Sequence, residues 1–322
     1  MKLDFISVGE VMVQFNAVSP GPLRYVKYFE VHVAGSEANM LIGLTKLGFK
    51  TGIVTRVGDD EFGKLITNFL RGEGVDVSRV KLDDSAPTGI YFIQRHFPVP
   101  GESTVFYYRH GSAASRLSPD DVDEEYVLSS RGVILTGITP ALSSSCYTAV
   151  DKMYRIAKSS GLDIVFDTNI RMKLWRDASK ARSSLTPFLQ AKIVFTNPKD
   201  LEILFPSQPI KEAVSNILDR GCEIVVVKLG DKGAIAYDSK GNEHRVEAFK
   251  IPIVEDVIGA GDAFNAAFLA SVYRGMTVDQ ALLYAAAAGA LVVTVRGDVE
   301  AQPSWRDLNA FLESFKGGVV LR

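Results

Sequence analysis

The chain has 322 residues, of which 47% are hydrophobic and 23% are charged, so it is long enough to bury a full core and has a globular composition. A formal net charge of -2 excludes the strong positive field that attracts nucleic acids and anionic membranes. No stretch approaches the roughly 20 apolar residues of a membrane span. These properties predict small-molecule partners, with no nucleic acid and no membrane.

The cysteines and the N-terminus predict the cellular compartment. Cys146 and Cys222 are not in CxxC spacing, which favours buried, reduced thiols. Asp4 and the pair Gly9-Glu10 interrupt the apolar run that a signal peptide would need. Both features favour a cytoplasmic protein.

Short apolar strands alternate with helical stretches along most of the chain. This alternation predicts an α/β fold in which helices cover both faces of a mostly parallel sheet. Ligands gather at the carboxyl ends of the strands in such sheets. In chain order we predict strands at 5–8, 52–57, 133–136, 164–167, 193–196, 224–228 and 234–237, and helices at 36–47, 61–71, 146–158, 178–189 and 305–315.

Two regions, about 10–34 and 88–113, are strand-like but lack intervening helices. In the first, Val13 and Phe15 alternate with Met12 and Gln14. We predict that the two regions form a small antiparallel sheet, because hairpin pairing needs no crossover helix. This sheet would be a lid inserted into a single domain that spans 1–322. The alternative is that these strands extend the edge of the main sheet.

A glycine turn, Gly259-Ala260-Gly261, precedes Asp262. Apolar residues recur at three- and four-residue spacing after it until Gly275, so a helix is predicted to begin at the turn. Free backbone N–H groups and the helix dipole favour phosphate there, and they also favour the ionised form of Asp262. The pattern indicates a phosphoryl-transfer site. The alternative is an ordinary aspartate cap after a glycine-rich turn.

Several segments with matching motifs resemble the ribokinase-like sugar kinases, also called the PfkB carbohydrate kinase family. The two main signatures are the segment 34–39, Ala-Gly-Ser-Glu-Ala-Asn, and the turn with Asp262. Residues 58–63, 167–171 and 228–233 also fit, so the resemblance covers nearly the whole chain. Within the family, residues 89–95, 107–109 and 296–298 are most similar to the branch that acts on 2-keto-3-deoxygluconate, particularly its archaeal form.

The resemblance implies a ribokinase-like, Rossmann-like sheet with a small β-sheet lid, and transfer of the ATP γ-phosphoryl group to a sugar hydroxyl. Asp262 would be the general base, and Gly259, Ala260 and Gly261 would form the anion hole. ATP would enter with Mg²⁺ or another divalent cation, and no side chain is assigned as a metal ligand. Subunits of the family commonly pair through the lid, which implies a homo-oligomer.

The resemblance also implies which residues bind each substrate. Contacts to the sugar acid are expected from Gly35, Tyr91, Tyr107, Tyr108, Arg109, Arg171, Asp262 and Asp298, with Asn39 as a further candidate. Contacts to the nucleotide are expected from Asn169, Arg171, Lys228, Leu229, Gly230, Asp231, Lys232 and Gly233, together with the glycine turn and Asp262. Residues 230–233, Gly-Asp-Lys-Gly, also have the composition of an ordinary turn before a strand.

Arginine suits the carboxylate of a keto acid, because guanidinium stays charged and offers a fixed fork of donors. Arg109 and Arg171 are therefore the candidates for that contact. In an extended segment, Tyr107 and Arg109 point to one face and Tyr108 points to the other. Ordinary half-buried packing is the alternative for the tyrosines.

Two positions depart from the family pattern. Ile258 stands where the family usually has threonine before the glycine run, so one hydroxyl is absent. The family's Asn-x-x-Glu motif, associated with magnesium and phosphate, occurs here as 197–200, which ends in Asp200. Glu202 could substitute for the missing glutamate.

Other activities stay open at this stage. A fructokinase or ribokinase would share both signatures, and a catalytically inactive sugar-acid sensor would share the fold. The C4 epimer, 2-keto-3-deoxygalactonate, is a possible second substrate. The absence of GxGxxG after the first strand disfavours a nicotinamide dehydrogenase, and the absence of GxxxxGK[ST] disfavours a P-loop enzyme.

Overall fold

The computed structural model describes residues 2–317. The strands in that range are β1 (Leu3–Val8), β2 (Met12–Ala17), β3 (Phe29–Ala34), β4 (Thr51–Gly58), β5 (Asp76–Asp83), β6 (Ile90–Arg95), β7 (Ser103–Tyr108), β8 (Ser130–Thr136), β9 (Asp163–Asp167), β10 (Ile193–Thr196), β11 (Ile224–Lys228), β12 (Ala234–Asp238) and β13 (Glu243–Val246). The α-helices are α1 (Ser36–Lys46), α2 (Glu61–Gly72), α3 (Glu124–Leu128), α4 (Ser144–Ser159), α5 (Met172–Trp175), α6 (Ala178–Leu185), α7 (Pro198–Leu204), α8 (Ile210–Leu218), α9 (Ala260–Tyr273), α10 (Val278–Val292) and α11 (Trp305–Gly317).

The main sheet has nine strands in the order β13-β12-β11-β10-β9-β8-β1-β4-β5. All neighbours from β11 to β5 are parallel, and β12 and β13 add an antiparallel edge. The central strands are nearly continuous apolar runs, as in Ile224–Lys228, because both faces of the sheet are covered. The predicted mostly parallel α/β sheet is confirmed.

Helices form a layer on each face of the main sheet. One hydrophobic core contains residues of α1, α2, α9, α10 and α11, and a second core on the other face contains residues of α3 to α8. Helix α9 is buried along most of its length and packs against both α1 and α10. The N-termini of α1 and α9 therefore lie together at the carboxyl edge of the sheet.

A separate four-stranded sheet, the small sheet, has the order β3-β2-β6-β7. The predicted antiparallel pairing holds for β2 with β3 and for β6 with β7, but β2 and β6 pair in parallel. The long segment between β2 and β6 includes two main-sheet strands and two helices, so the chain can return to run β6 alongside β2 in the same direction. The alternative of added edge strands on the main sheet is wrong.

The structure differs from the sequence prediction at one helix and one strand. The helix predicted at 178–189 ends at Leu185, and a 3₁₀ turn at Thr186–Gln190 follows, because Pro187 has no N–H for the helical ladder. Strand β5 was not predicted because its sequence, DVSRVKLD, is largely polar; it is an edge strand with partly exposed residues. Within residues 2–317, no helix combines the length and apolar character required to cross a bilayer.

Candidate active site

A cavity of about 900 Å³ lies between the carboxyl edge of the main sheet and the inner face of the small sheet. Met12 and Tyr91 line it from the small sheet, and Asp167 and Lys228 line it from the ends of β9 and β11. The sequence-predicted residues that the fold brings to this cavity are Gly35, Asn39, Tyr91, Tyr107, Arg109, Asn169, Arg171, Lys228, Gly230, Gly259, Gly261, Asp262 and Asp298.

The glycine turn caps α9 as predicted. Gly259 is the N-cap and has φ +81, in the left-handed region that glycine tolerates best. A Cβ on Gly259 would also lie only 2.6 Å from the backbone oxygen of Asp298. A Cβ on Gly261 would have Lys228 Nζ as its nearest neighbour, at 3.7 Å. The backbone beside Gly261 is therefore open to a ligand.

Asp262 lies in the first turn of α9 and is only 9% exposed. Its Oδ1 accepts a hydrogen bond from Ser36 Oγ at 2.7 Å, and its Oδ2 accepts one from Asn39 Nδ2 at 2.8 Å. Burial nevertheless raises the pKa of Asp262 to about 6, and the charge of Asp167 adds to this effect. Desolvation therefore outweighs the helix N-terminus and the two donors in setting the pKa of Asp262, which stays below neutral pH.

A second buried carboxyl group, Asp298, is linked to the first by one amide. Asn39 Nδ2 donates to Asp298 Oδ2 at 3.0 Å as well as to Asp262. Gln14 Nε2 donates to Asp298 Oδ1 at 2.7 Å and to the hydroxyl oxygen of Tyr91 at 2.6 Å. Burial raises the pKa of Asp298 to about 7, and the neighbouring Asp262 charge raises it further. The two carboxyl groups form one electrostatically coupled pair.

A cation stands beside the glycine turn. Lys228 Nζ donates to Asp167 Oδ2 at 2.8 Å and to Asn265 Oδ1 at 3.2 Å. Asn265 Nδ2 also donates to Asp167 Oδ2, at 2.7 Å. These contacts fix the ammonium group of Lys228 next to Gly261, where it adds positive charge to the helix N-terminus.

The two arginines differ in their surroundings. Arg109 is nine-tenths buried and forms an ion pair with the buried carboxylate of Glu10, and its guanidinium lies 5.3 Å from the centre of the Tyr107 ring. Arg171 lines the cavity, and among the described residues no carboxylate pairs with it. The cavity therefore holds one neutralised and one uncompensated guanidinium group.

A model of the pfkB family carbohydrate kinases matches residues 2–305. The chain belongs to this family. It is 48% identical to a 2-dehydro-3-deoxygluconokinase from Thermoproteus tenax over 97% of this chain and 95% of that protein. It is 29% identical to a 5-dehydro-2-deoxygluconokinase from Clostridium perfringens, over 98% of this chain and 94% of that protein. A solved structure of a candidate ribokinase II from E. coli, in complex with ATP and Mg²⁺, has a TM-score of 0.89 and 28% identity, covering 97% of this chain and 99% of that chain.

Several residues expected from the pfkB pattern do not line the cavity. Tyr108 lies on the outer face of the small sheet, against Phe92, as the alternation along β7 requires. A Cβ on Gly233 would contact the backbone of Val246, which favours the ordinary-turn interpretation of this segment. The other predicted residues that are absent from the lining are Leu229, Asp231, Lys232 and Ala260.

The two departures from the pfkB pattern also have structural outcomes. Ile258 lines the cavity, and its backbone N–H donates to Asp256 Oδ1 at 3.2 Å. Asp200 is buried and accepts hydrogen bonds from Thr168 Oγ1 and from the Ile170 N–H. Glu202 accepts one from the Ser207 N–H. Neither acid lines the cavity. Both are hydrogen-bonded to nearby residues of the fold.

Sequence reasoning missed Glu10, Gln14 and Ser36 as members of the site. Glu10 gave no signal in the sequence beyond its interruption of an apolar run near the N-terminus. Gln14 gave a usable signal, because a polar residue in a strand whose other face is apolar must have a partner on its own side. Ser36 gave none beyond its place in the motif, since its contact with Asp262 depends on two helix N-termini meeting.

Proposed function

We propose that this pfkB family protein is an ATP-dependent kinase of 2-keto-3-deoxygluconate, also called 2-dehydro-3-deoxygluconate, and forms its 6-phosphate. One juxtaposition carries the proposal: the Asp262 carboxyl group at the glycine turn shares a cavity with the guanidinium groups of Arg109 and Arg171. The carboxyl group can take the proton of an acceptor hydroxyl, and the guanidinium groups can bind the carboxylate of a sugar acid. The similarity to the Thermoproteus tenax protein supports the same substrate.

In the proposed reaction, Asp262 accepts the proton of the acceptor hydroxyl as the oxygen attacks the γ-phosphorus of ATP. The bond from that phosphorus to the β,γ-bridging oxygen breaks, and ADP leaves. A carboxylate suffices as the base because the hydroxyl loses its proton late in a loose transition state. With a pKa of about 6, Asp262 is ionised at neutral pH and can still hold the proton more tightly than an ordinary aspartate.

The glycine turn and Lys228 stabilise the charge on the transferred group. The open backbone beside Gly261 and the N-terminus of α9 offer N–H donors, and the Lys228 ammonium group stands next to them. Asn169 lines the same cavity and is available to the phosphates. In this reaction the protein acts by positioning the two substrates and by stabilising the charge on the transferred group.

The acceptor is held on the other side of Asp262. Burial keeps the pKa of Tyr91 well above its ordinary value, and its oxygen already accepts from Gln14, so its hydroxyl hydrogen is available to a sugar oxygen. Asp298 and Asn39 offer further contacts to sugar hydroxyls. Arg171 binds the sugar carboxylate directly, and Arg109, already paired with Glu10, adds a second contact.

Magnesium is proposed to arrive with the nucleotide. Residues 2–317 contain no group of three or more histidine, cysteine, aspartate or glutamate side chains placed to hold a metal ion. Asp167 and Asn197 on the cavity wall are the candidates for water-mediated contact with a cation carried by the triphosphate. When bound, the cation neutralises negative charge on the phosphates.

The deciding experiment incubates the purified protein with magnesium-ATP and a panel of acceptors. The panel contains 2-keto-3-deoxygluconate, its C4 epimer 2-keto-3-deoxygalactonate, 5-dehydro-2-deoxygluconate, ribose and fructose. We expect the highest kcat/KM with 2-keto-3-deoxygluconate and loss of turnover when EDTA removes the cation. A preference for ribose or fructose would contradict the substrate assignment, and binding of the sugar acid without turnover would indicate a sensor.

A further inference from the structure

The carboxyl group of Asp262 is held by two side chains of one helix. Ser36 and Asn39 lie one turn apart at the start of α1, and each donates to a different oxygen of Asp262. Asn39 also binds Asp298, so its contact is shared between two acids. The Ser36 hydroxyl makes no second donation, so its hydrogen is committed to Asp262.

A third side chain fixes the direction of that hydroxyl. Asn169 Nδ2 donates to Ser36 Oγ at 2.8 Å. Asn169 follows β9 and has φ +32, a conformation that asparagine tolerates better than most residues. Because the amide nitrogen can only donate, Ser36 Oγ accepts from Asn169 and turns its own hydrogen towards Asp262 Oδ1. The three residues form a directed chain, Asn169 to Ser36 to Asp262.

The charges around Asp262 give this chain a function. Glu37 of α1, Asp167 at the end of β9 and Asp298 before α11 are acidic, whereas Lys228 at the end of β11 is basic. Arg171 and the Glu10–Arg109 pair line the same cavity farther along its wall. Three acids against one adjacent ammonium group disfavour a charged Asp262. Neutral donors that bind only its carboxylate form oppose this effect.

We propose that Ser36 is a positioning residue for the general base, and that Asn169 is the residue that orients it. The Ser36 hydroxyl holds the plane of the Asp262 carboxylate towards the acceptor and stabilises the ionised form that takes the proton. The inference rests on the proposed function, since it needs Asp262 to act as the base. The hydrogen bond from Ser36 opposes the burial that raises the pKa of Asp262, in agreement with this role.

The test compares the pH dependence of kcat/KM in Ser36→Ala, Ser36→Thr and Asn169→Ala with that of the wild type. Without the hydroxyl, we expect the acid limb to move up by about one pH unit, the size of one hydrogen bond to a charged group, and kcat/KM at pH 6 to fall about fivefold. Ser36→Thr should restore the limb because it keeps the hydroxyl. Measured at saturating ATP, so that any contact of Asn169 with the phosphates does not contribute, Asn169→Ala should shift the limb in the same direction without altering α1.

A matched control is Ser271→Ala. Ser271 is buried in the last part of α9 and donates to the Ala267 carbonyl oxygen, away from the cavity. Its loss should leave the pH profile unchanged. Thermal unfolding of each variant checks that it is folded, and if Ser36→Ala does not fold, Asn169→Ala carries the test.

Asp262→Asn, measured in parallel, separates the two hypotheses. Near-normal turnover in Asp262→Asn would overturn the role of Asp262 as the base, on which the role of Ser36 rests, and would leave the kinase assignment to the acceptor panel. Loss of turnover there, with an unchanged acid limb in folded Ser36→Ala, would overturn only the role of Ser36. If Ser36→Thr does not restore the acid limb of the pH profile, the role of Ser36 is also overturned, because the hydroxyl would not set the position of that limb.

Discussion

The residues with the greatest chemical interest in this protein are acids placed where acids are costly. Asp262, Asp298 and Glu37 are all buried, and burial raises the pKa of each of them. Glu37 is offset by hydroxyl donors from Thr136 and Thr139, both at 2.6 Å, and the aspartates are offset by the shared amide of Asn39. The site thus gives up stability to keep these three carboxyl groups out of water.

Because Asp262 is buried, Asp262→Asn is predicted to gain stability relative to the wild type as the pH rises. The pKa of Asp262 is about 6 in the folded protein and about 3.9 in an unfolded chain, so the folded state binds the proton more tightly. The stabilisation from that proton is present at low pH and is lost as the pH rises through 6. Asparagine does not titrate, so between pH 5 and pH 8 the wild type should lose roughly 1 kcal/mol relative to the variant.

Urea unfolding of both proteins at the two pH values measures this difference. Titrating groups remote from Asp262 cancel because they are common to the two chains, and Asp298 adds to the difference because its pKa falls when the Asp262 charge is removed. A constant gap between the variant and the wild type across this range would show that the pKa of Asp262 is ordinary. The same variant should lose turnover by about 10² to 10⁴, the usual range for a positioned base.

The unequal surroundings of the arginines predict unequal effects of removing them. Arg171→Ala should raise KM for the sugar acid about 10- to 100-fold, from the loss of a charge-assisted hydrogen bond, and leave thermal stability unchanged. Arg109→Ala should lower the free energy of unfolding by about 3 kcal/mol, because it leaves the Glu10 carboxylate buried and unpaired.

Steady-state kinetics and thermal unfolding distinguish these outcomes. Adding Glu10→Gln to Arg109→Ala should recover much of the stability, since the uncompensated charge is then gone. A stable Arg109→Ala protein with Glu10 intact would contradict the structural role of the pair.

At the scale of elements, the site depends on two helix N-termini that meet. Helix α9 presents the glycine turn and Asp262, and α1 presents Ser36 and Asn39 to it. Gly259 has a left-handed backbone conformation, and the backbone of Asp298 occupies the space that a Cβ at this position would need. The element contacts therefore require a glycine at that position.

Gly259→Ala should lower the free energy of unfolding by about 2 kcal/mol or more, from the left-handed φ and the close approach to Asp298. Gly261→Ala is the matched control, because a Cβ there has only Lys228 Nζ nearby and no left-handed φ. We expect the control to keep its stability but to raise KM for ATP. Chemical denaturation and nucleotide titration check the pair, and equal losses of stability would contradict the argument.

Elements with strong periodicity were predictable from sequence, and the contacts between them were not. Strands β10 and β11 follow from their apolar runs, and the start of α9 follows from the glycine turn. The parallel pairing of β2 with β6 could not be predicted, because it depends on how the intervening segment folds. In the same way, Arg109 was recognisable as a candidate, but its Glu10 partner lies in a distant part of the sequence.

At the scale of the whole molecule, the outer face of the small sheet is apolar and partly exposed. Phe15 and Phe92 stack with ring centroids 5.0 Å apart, while Phe106 and Tyr108 are 40% and 64% exposed on the same face. Such a patch on a sheet is typical of an interface. We propose that two copies of the chain associate through it, with the small sheet closing over the cavity as a lid.

Tyr108→Glu should therefore shift the protein towards the monomer, because a charge within an apolar interface must be desolvated. Light scattering coupled to size exclusion measures the mass in solution. Leu128→Glu, which adds the same charge at an exposed position of α3, is the control and should not change the mass. A wild-type monomer at all concentrations would refute the proposed association.

The bond from Gln14 to Asp298 joins residues that are 284 positions apart in the chain. A contact between such distant positions closes a long loop, which costs conformational entropy. In the unfolded chain Asp298 is hydrated, and it loses its water only when the two distant segments meet. The charge repulsion of the acidic pair is therefore a property of the folded chain alone, and the unfolded state with which it competes does not contain it.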